Sequence, residues 1–427
     1  MKTFINPEEW TTLLQRSRLG TEDLEPVVQS ILKDIQQDGD VAVRRYTSKF
    51  DRVQLDDFSV SKAEIQAAIE AVSSPLKRAI QQAKNNIEVF HKSQKEAVQY
   101  VETMDGITCW RKSVGIDRVG LYIPAGTAPL FSTVLMLGIP AKLAGCREIV
   151  LCSPPNQKGQ IHPAILYAAS LVGCTKIFKV GGVQAIGAMA YGTACIPKVY
   201  KIFGPGNQYI TCAKQLILKE GLAIDMPAGP SELLVWADEC ANPAFVAADL
   251  LSQAEHGTDS QVILVSSSSL VVENVQAAIK QQIARLPRKD MAQIALNNSR
   301  AIVLKDEQTI VQFINEYAPE HLILNIKNAE KVADQVINAG SVFLGNFTPE
   351  SLGDYASGTN HTLPTNGFAC NYSGLSLDSF VKKITFQKAT KRGLKNIGWV
   401  VETMAAAEAL EAHKNAISIR LKSMNDE

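Results

Sequence analysis

A chain of 427 residues and 46.4 kDa exceeds what one hydrophobic core usually organises, so at least two domains are expected. Apolar residues make up 46% and charged residues 20% of the sequence, a composition that excludes disordered, collagen-like and disulfide-scaffold classes. The 43 basic residues balance the 43 acidic ones, which argues against binding to nucleic acid or membranes and favours small molecules or a second copy as partners.

The N-terminus and the cysteines indicate the compartment. Met1–Trp10 contains Glu8 and Glu9 and lacks the apolar stretch of a secretory signal. The eight cysteines are scattered without a C-x-x-C pair, so neither a disulfide framework nor a zinc ribbon is expected. A reducing compartment, the cytoplasm, is therefore the expected location.

The first hundred residues have a helical pattern. Ser61 and Glu64 form a capping-box sequence, and Pro75 stands at the first position of the helix that should follow. The region is expected to act as a scaffold. The next segment, Val119–Ala141, is uncharged and long enough to span a bilayer, but its three prolines and three glycines favour a buried strand, turn and helix.

Short apolar strands alternate with helices from about residue 118. The expected strands are Val119–Ile123, Ile149–Cys152, Ile177–Val180, Val199–Phe203 and Ala223–Met226. Repeated β-α units predict a parallel sheet with helices on both faces. Several strands run into glycine turns, at Ala125–Gly126, Gly181–Gly182 and Gly204–Gly206, where open α/β sheets bind ligands.

A second alternating series follows between residues 231 and 346. Its expected strands are Leu233–Trp236, Val262–Val265, Ala301–Leu304, Leu322–Ile326 and Ser341–Leu344, with helices at 243–254, 271–285, 308–316 and 328–338. The fold class is therefore α/β with two Rossmann-like doubly wound sheets. Beyond the loop-rich stretch 347–376, a helical tail carries His413, which could dock on another subunit.

Metal-binding side chains occur in three places. Gln253 and His256 are three residues apart at the end of a predicted helix, so both can point at one ion. Asp354 and His361 lie in a loop rich in small residues, and such loops usually carry function. Together with His413, these nitrogen and oxygen donors suit zinc or a similar divalent ion.

Two further patterns indicate proton transfer and cofactor binding. Glu320 and His321 are adjacent and offer proton acceptors with different ordinary pKa values, which suits two successive proton transfers. Gly181–Gln184 and Gly204–Asn207 each end a strand and open a helix, so a cofactor can approach the backbone there. Neither is the G-x-G-x-x-G fingerprint of dinucleotide binding.

Four segments, in this order along the chain, together resemble the histidinol dehydrogenase family. They are Ala228–Glu232, Ser252–Gly257, Pro319–Leu322 and Gly353–His361. The resemblance covers nearly the whole chain. It implies an aldehyde-dehydrogenase-like α/β fold and a homodimer that oxidises L-histidinol to L-histidine with two NAD+ and a zinc ion, the last steps of histidine biosynthesis.

The resemblance also implies a role for particular residues. The zinc ligands would be Gln253, His256, Asp354 and His413, the last reaching across from the partner subunit. The acid-base pair would be Glu320 and His321; Ser231, Glu408, His321 and the four zinc ligands would contact the substrate; and Tyr122, Gln184 and Asn207 would contact NAD. Two nearby positions depart from the family pattern: Ala125 stands in place of a common glycine and Val183 in place of a common alanine.

The implied domain division has three parts. Residues 17–121 and 231–375 would form an α/β domain with the metal and acid-base residues. Residues 122–230 would form the NAD domain, and residues 1–16 and 376–427 would be small, largely helical extensions in the dimer contact.

Three other functions remain open on the residues alone. A cysteine-dependent aldehyde dehydrogenase would need an activated thiol, and none of the eight cysteines lies in an activating motif. A zinc hydrolase could use Glu320 as its base, but the β-α series before residue 230 would then be unexplained. A non-catalytic metal-binding or assembly protein would take up zinc without turning over NAD.

Overall fold

The computed structural model describes residues 1–7, 10–16, 24–125, 128–227 and 229–424. The chain forms two compact units, one of Met1–Gln94 with Ile116–Phe380 and one of Lys95–Gly115 with Val381–Glu427. The first unit contains two parallel sheets and the second contains an antiparallel sheet. The α/β class with two Rossmann-like sheets is confirmed.

The N-terminal part of the first unit has one strand and four helices among the described residues. They are β1 (Lys2–Ile5), α1 (Glu25–Asp38), α2 (Asp40–Phe50), α3 (Lys62–Ala71) and α4 (Ser74–Lys92). The expected capping box begins α3, since the Ser61 hydroxyl accepts from Glu64 N and the Glu64 carboxylate accepts from Ser61 N. Pro75 lies in the first turn of α4, as expected.

The next two strands, β2 (Tyr100–Met104) and β3 (Ile107–Gly115), belong to the second unit. The chain then returns to the first unit and forms a five-stranded parallel sheet. Its strands are β4 (Arg118–Tyr122), β5 (Glu148–Cys152), β6 (Lys176–Phe178), β7 (Lys201–Phe203) and β8 (Ala223–Ile224). Their spatial order is β6-β5-β4-β7-β8, which matches five of the six strand positions of a dinucleotide-binding sheet.

Four helices connect these strands, namely α5 (Phe131–Ala144), α6 (Pro163–Val172), α7 (Gly182–Tyr191) and α8 (Gln208–Lys219). The uncharged stretch Val119–Ala141 thus forms a strand and most of a buried helix. Among the described residues, no helix has the length and apolar character needed to cross a membrane.

Helices α1 to α4 pack on this five-stranded layer. Ile80 and Ile87 of α4 share a buried cluster with Leu135 of α5, and Ile35 of α1 shares another with Ile186 of α7. The domain division expected from the sequence groups this region with residues 231–375. That division stays a prediction; within the first unit, the apolar faces of these helices are buried against α5 and α7.

A six-stranded parallel sheet follows. It combines β1 with β9 (Glu232–Ala237), β10 (Gln261–Ser266), β11 (Arg300–Val303), β12 (His321–Asn325) and β13 (Ser341–Leu344), in the order β1-β11-β10-β9-β12-β13. Its helices are α9 (Pro243–Ala254), α10 (Ser269–Ile283), α11 (Lys289–Asn297), α12 (Glu307–Tyr317) and α13 (Ala329–Ala333), followed by α14 (Glu350–Tyr355). The N-terminal extension expected over residues 1–16 is in part an edge strand, because β1 pairs in parallel with β11.

The second unit is built on a three-stranded antiparallel sheet. Its third strand, β14 (Val381–Ala389), pairs with β3 along nine residues, and α15 (Lys391–Ala407) packs on α16 (Glu411–Ser423). The sequence predicts only helix in this tail. The strand is mostly exposed on both faces, and its apolar and polar residues alternate only over Ile384–Gln387, too short a run to identify a strand of nine residues.

Candidate active and metal site

The expected acid-base pair lies at the amino edge of the six-stranded sheet, where β12 begins. His321 is the first residue of β12 and pairs with Leu233 of β9. The backbone of Glu232, at the start of β9, contacts both members of the pair: its N–H donates to Glu320 Oε2 at 2.7 Å, and its carbonyl oxygen lies 3.2 Å from His321 Nδ1. Because a carbonyl oxygen only accepts, Nδ1 carries the hydrogen in this contact.

Three of the expected metal ligands lie on two short segments near this pair. Gln253 is the penultimate residue of α9, His256 follows two residues beyond its end, and Asp354 lies on α14. Ligand atoms of His256, Glu350 and Asp354 lie within 4.8 Å of one another. In the orientation that satisfies both amide atoms, Gln253 donates to Glu350 Oε1 at 2.5 Å and accepts from Glu232 N at 2.9 Å.

Sequence reasoning missed Glu350. Its side chain is only 1% exposed, and it precedes Asp354 by four residues on α14, so both carboxylates lie on one helical face. That spacing could have revealed it. The sequence predicts a loop over residues 347–376, and in a loop a spacing of four residues does not indicate that two side chains point the same way.

Carboxylates dominate the electrostatics of the site. Burial raises the pKa of Glu350 well above its ordinary value, and the nearby charges of Asp354, Glu320 and Asp249 add to this effect, opposed by His321. Burial also raises the pKa of Asp249, to about 7. Burial alone would lower the pKa of His321, but Glu350, Glu320 and Asp354 together raise it well above its ordinary value.

The donor set fits a divalent cation. Three acidic side chains, of Glu320, Glu350 and Asp354, lie near the imidazole of His321, and Asp249 lies near Glu350. Buried charge of one sign requires a counter-charge. Within the part of the chain that the structure describes, Glu350 Oε2 is buried without a hydrogen-bond partner. Carboxylate, amide and imidazole donors together suit zinc.

His361 anchors the loop after α14. Its Nδ1 lies 2.8 Å from the backbone carbonyl of Asp354, and its Nε2 lies 3.2 Å from Thr133 Oγ1 in the first turn of α5. Both ring nitrogens are therefore engaged. Through this histidine, the segment that carries Asp354 is attached to the layer of the five-stranded sheet.

Three more residues were expected to contact the substrate or the metal, namely Ser231, Glu408 and His413. Ser231 is half-buried immediately before β9, and its carbonyl accepts from Gln261 N at 3.1 Å. Glu408 and His413 belong to the second unit, where Glu408 caps the C-terminus of α15 and His413 lies in the first turn of α16. Both side chains are exposed.

The three residues expected to contact NAD lie at the carboxyl edge of the five-stranded sheet. The Tyr122 hydroxyl, at the end of β4, accepts from Gly182 N at the start of α7, at 3.2 Å. Gln184 is fully buried; its Nε2 donates to Asp51 Oδ2 at 3.3 Å, and its Oε1 has no partner among the described residues. Asn207 caps α8 through its side-chain oxygen.

Two glycines explain the backbone at this edge. A Cβ at Gly204, where φ is +131°, would lie 2.1 Å from the carbonyl oxygen of Tyr122, so only glycine lets β7 end beside β4. A Cβ at Gly182 would lie 2.5 Å from Gln184 Oε1. Gly126, in the expected turn Ala125–Gly126, is outside the described residues. Of the two departures from the family pattern, Val183 is buried in the apolar cluster beside α1.

Several cysteines are unsuited to act as a catalytic thiol. All eight lie among the described residues and are free. Burial raises the pKa of Cys146 and of Cys174 to about 12, and a hydrogen bond to Asp40 raises that of Cys195 to about 11. A nucleophilic cysteine requires a lowered pKa, so these three do not fit the cysteine-dependent alternative.

Comparisons with known proteins agree on one family. The family model described as histidinol dehydrogenase matches residues 14–421. A histidinol dehydrogenase from Bacteroides thetaiotaomicron is 59% identical over 99% of this chain and 98% of its own, and one from Yersinia pestis is 50% identical over 98% and 94%. The crystal structure of histidinol dehydrogenase from Elizabethkingia anophelis superposes with a TM-score of 0.98, at 58% identity, covering 100% of this chain and 99% of the other.

Proposed function

This chain belongs to the histidinol dehydrogenase family, and from that premise we propose that it oxidises L-histidinol through L-histidinal to L-histidine with two NAD+ and one zinc ion. Family membership supports an oxidoreductase of histidine biosynthesis. The observation that carries the finer proposal is the meeting of Glu320, His321 and Gln253 around the backbone of Glu232, beside the carboxylates of α14.

Gln253, His256 and Asp354 would hold the zinc ion, together with His413 of the partner subunit. When bound, zinc supplies a Lewis acid that fixes the imidazole and amino nitrogens of the substrate, and NAD+ supplies the hydride acceptor. The excess of carboxylates near His321 favours a cationic substrate as well as a metal. Holding the carbinol carbon in place in this way can lower the barrier by several kcal/mol, about as much as other well-oriented reactions gain.

Converting a primary alcohol to a carboxylate removes four electrons, so two hydrides leave and one water enters between them. His321 accepts the hydroxyl proton in the first oxidation in its neutral form, which would be available when a bound cation offsets the carboxylates that raise its pKa. Its Nε2 is the available nitrogen, because Nδ1 is engaged by the carbonyl of Glu232. Glu320 then accepts a proton from the water that attacks the aldehyde. Each base contributes a factor of roughly a hundred to ten thousand in rate.

Tyr122, Gln184 and Asn207 would contact the cofactor at the carboxyl edge of the five-stranded sheet. The N-termini of α7 and α8 open toward this edge, and helix N-termini favour pyrophosphate. The buried Oε1 of Gln184, which has no partner among the described residues, is an acceptor that a bound ligand could satisfy.

A homodimer in the cytoplasm completes the proposal. His413 is exposed in the second unit, as are the apolar side chains of Trp399, Met404 and Ile419. A second copy could cover these side chains and supply the histidine to the neighbouring site. The eight free cysteines are consistent with a reducing compartment.

The direct test mixes the protein with zinc, NAD+ and L-histidinol and follows NADH absorbance. The proposal requires two equivalents of NADH for each histidinol consumed. Zinc uptake without NADH would instead indicate a metal-binding protein. Zinc-dependent hydrolysis of a substrate without NADH would indicate a hydrolase.

A further inference from the structure

A buried ion pair between Arg16 and Glu232 adjoins the acid-base pair, because the backbone of Glu232 contacts both Glu320 and His321. Arg16 meets Glu232 in a two-point contact, with Nε 2.5 Å from Oε1 and Nη2 3.1 Å from Oε2. The exposed side-chain fractions are 13% for Arg16 and 2% for Glu232. Paired N–H donors on a carboxylate fix its orientation more strongly than a point charge does.

Both partners are held on their other sides too. Arg16 donates to the carbonyl oxygen of Tyr317, and its guanidinium lies 4.0 Å from the centre of the Tyr317 ring. The backbone N–H of Asn366 donates to Glu232 Oε1 at 2.8 Å. Arg16 thus joins the segment before α1, the end of α12 and the start of β9 at one point.

The same Glu232 presents its backbone to the proposed catalytic groups. Its N–H is 2.7 Å from Glu320 Oε2, and its carbonyl oxygen is 3.2 Å from His321 Nδ1. Any movement of the Glu232 backbone therefore moves the partners of both proton acceptors together.

We propose that Arg16 is a positioning residue for the oxidation: by fixing Glu232, it sets the orientation of Glu320 and His321. This inference rests on the proposed function of that pair. Without Arg16, the Glu232 carboxylate would be buried with no positively charged partner among the described residues, which is strongly unfavourable, so the carboxylate would turn toward water and displace the start of β9.

The first test is Arg16→Met, which keeps an unbranched apolar stem and removes the charge. Because a displacement near 1 Å can cost about a hundredfold in rate, we expect kcat to fall about 30-fold or more in both oxidation steps when the enzyme is assayed at saturating zinc, while KM for histidinol changes by less than about threefold. Arg147→Met is the matched control: Arg147 forms an equally two-pronged pair with Asp117, but on the surface, and this variant should keep the parent kcat.

Two further variants test whether Arg16 acts through Glu232. Arg16→Lys keeps the positive charge but cannot form both hydrogen bonds to Glu232, so this variant should retain part of the kcat that Arg16→Met loses. In a Glu232→Leu background, adding Arg16→Met should lower kcat by less than about twofold, because the contact is already gone. Full additivity of the two losses, or an Arg16→Met enzyme with kcat within about threefold of the parent, would overturn the proposal.

A spectroscopic measurement keeps the inference separate from the proposed function. The side-chain ¹⁵N–¹H signals of the six histidines can be recorded for the whole parent protein and for the Arg16→Met variant. A spectrum of the His321→Gln variant then assigns the His321 signal. We expect a protected Nδ1–H signal in the parent and its loss by solvent exchange in Arg16→Met. An unchanged signal would overturn the positioning role, whereas a parent protein that does not oxidise histidinol would overturn only the proposed function.

If Arg16→Met fails to fold, Glu232→Gln replaces it. This variant keeps both backbone contacts and the size of the side chain, so a smaller loss of kcat is expected.

Discussion

His321 Nε2 lies 3.4 Å from Oδ1 of Asp354, so the nitrogen proposed to take the substrate proton faces a proposed metal ligand. The carboxylate attracts the proton that His321 gains. The same carboxylate would bind the ion that orients the substrate. This proximity links proton transfer to metal binding and leads to the predictions that follow.

Glu320→Gln should slow aldehyde oxidation much more than alcohol oxidation. Glu320 accepts the proton of the attacking water, which enters only in the second step, and a lost general base costs roughly a hundredfold to ten-thousandfold. Single-turnover measurements starting from histidinol and from histidinal separate the two steps. Equal losses in both would show that the division of roles between Glu320 and His321 is wrong.

His256→Asn and His413→Asn should each lose zinc and histidinol affinity together, because each removes an imidazole donor from the proposed ligand set. Metal analysis after dialysis and substrate titration provide the measurement. His162→Asn is the matched control, since His162 is exposed and caps α6 through its side chain, a role that asparagine also performs. Stoichiometric zinc in either ligand variant would argue against its assignment.

Glu350→Gln should weaken zinc binding even though Glu350 is not among the ligands expected from the sequence. Its Oε1 accepts from the Gln253 amide at 2.5 Å, and loss of such a supporting contact typically weakens metal affinity about 10-fold to 100-fold. Competition with a chelator measures the change. Glu255→Gln, on the neighbouring helix cap, should leave affinity unchanged; an affinity for Glu350→Gln within about threefold of the parent would contradict this role.

The pH dependence of stability should reveal Asp51, whose pKa is raised by burial from 3.8 to about 6, opposed by the hydrogen bond from Gln184. Since the folded pKa is the higher one, its contribution to stability is present below the unfolded value and lost as pH rises through about 6. Asp51→Asn cannot ionise, so its Tm relative to the parent should increase across this interval.

Asp57→Asn provides a control of opposite sign. Hydrogen bonds from the backbone N–H and the side chain of Ser59 lower the pKa of Asp57, so its contribution is present at neutral pH and lost as pH falls through the lowered value. The Tm deficit of Asp57→Asn should therefore shrink in acid. A Tm difference for Asp51→Asn that is independent of pH would contradict the assignment of the buried, raised pKa.

Most of the helices and strands could be predicted from strongly apolar segments of the sequence. Ser341–Leu344 and the helix 243–254 have the expected bounds, because their apolar pattern ends at turn residues on both sides. β1 and β14 were missed, since both lie at edges and are largely exposed. Their pairing depends on partners far along the chain, which local pattern cannot reveal.

Some residues of the candidate site could be predicted from the sequence and others could not. Glu320 and His321 could be predicted because they are adjacent and precede a buried strand. Arg16 could not, since it stands 216 residues from Glu232 and only the tertiary fold brings them together. Glu350 becomes visible once α14 is recognised as a helix.

Anomalous diffraction at the zinc edge, from crystals of the zinc-loaded protein, can locate the proposed metal site. We expect one ion for each chain, coordinated by Gln253, His256 and Asp354, with His413 of the partner subunit as the fourth protein ligand. An ion bound elsewhere, or one at this position without the partner's His413, would contradict this expectation.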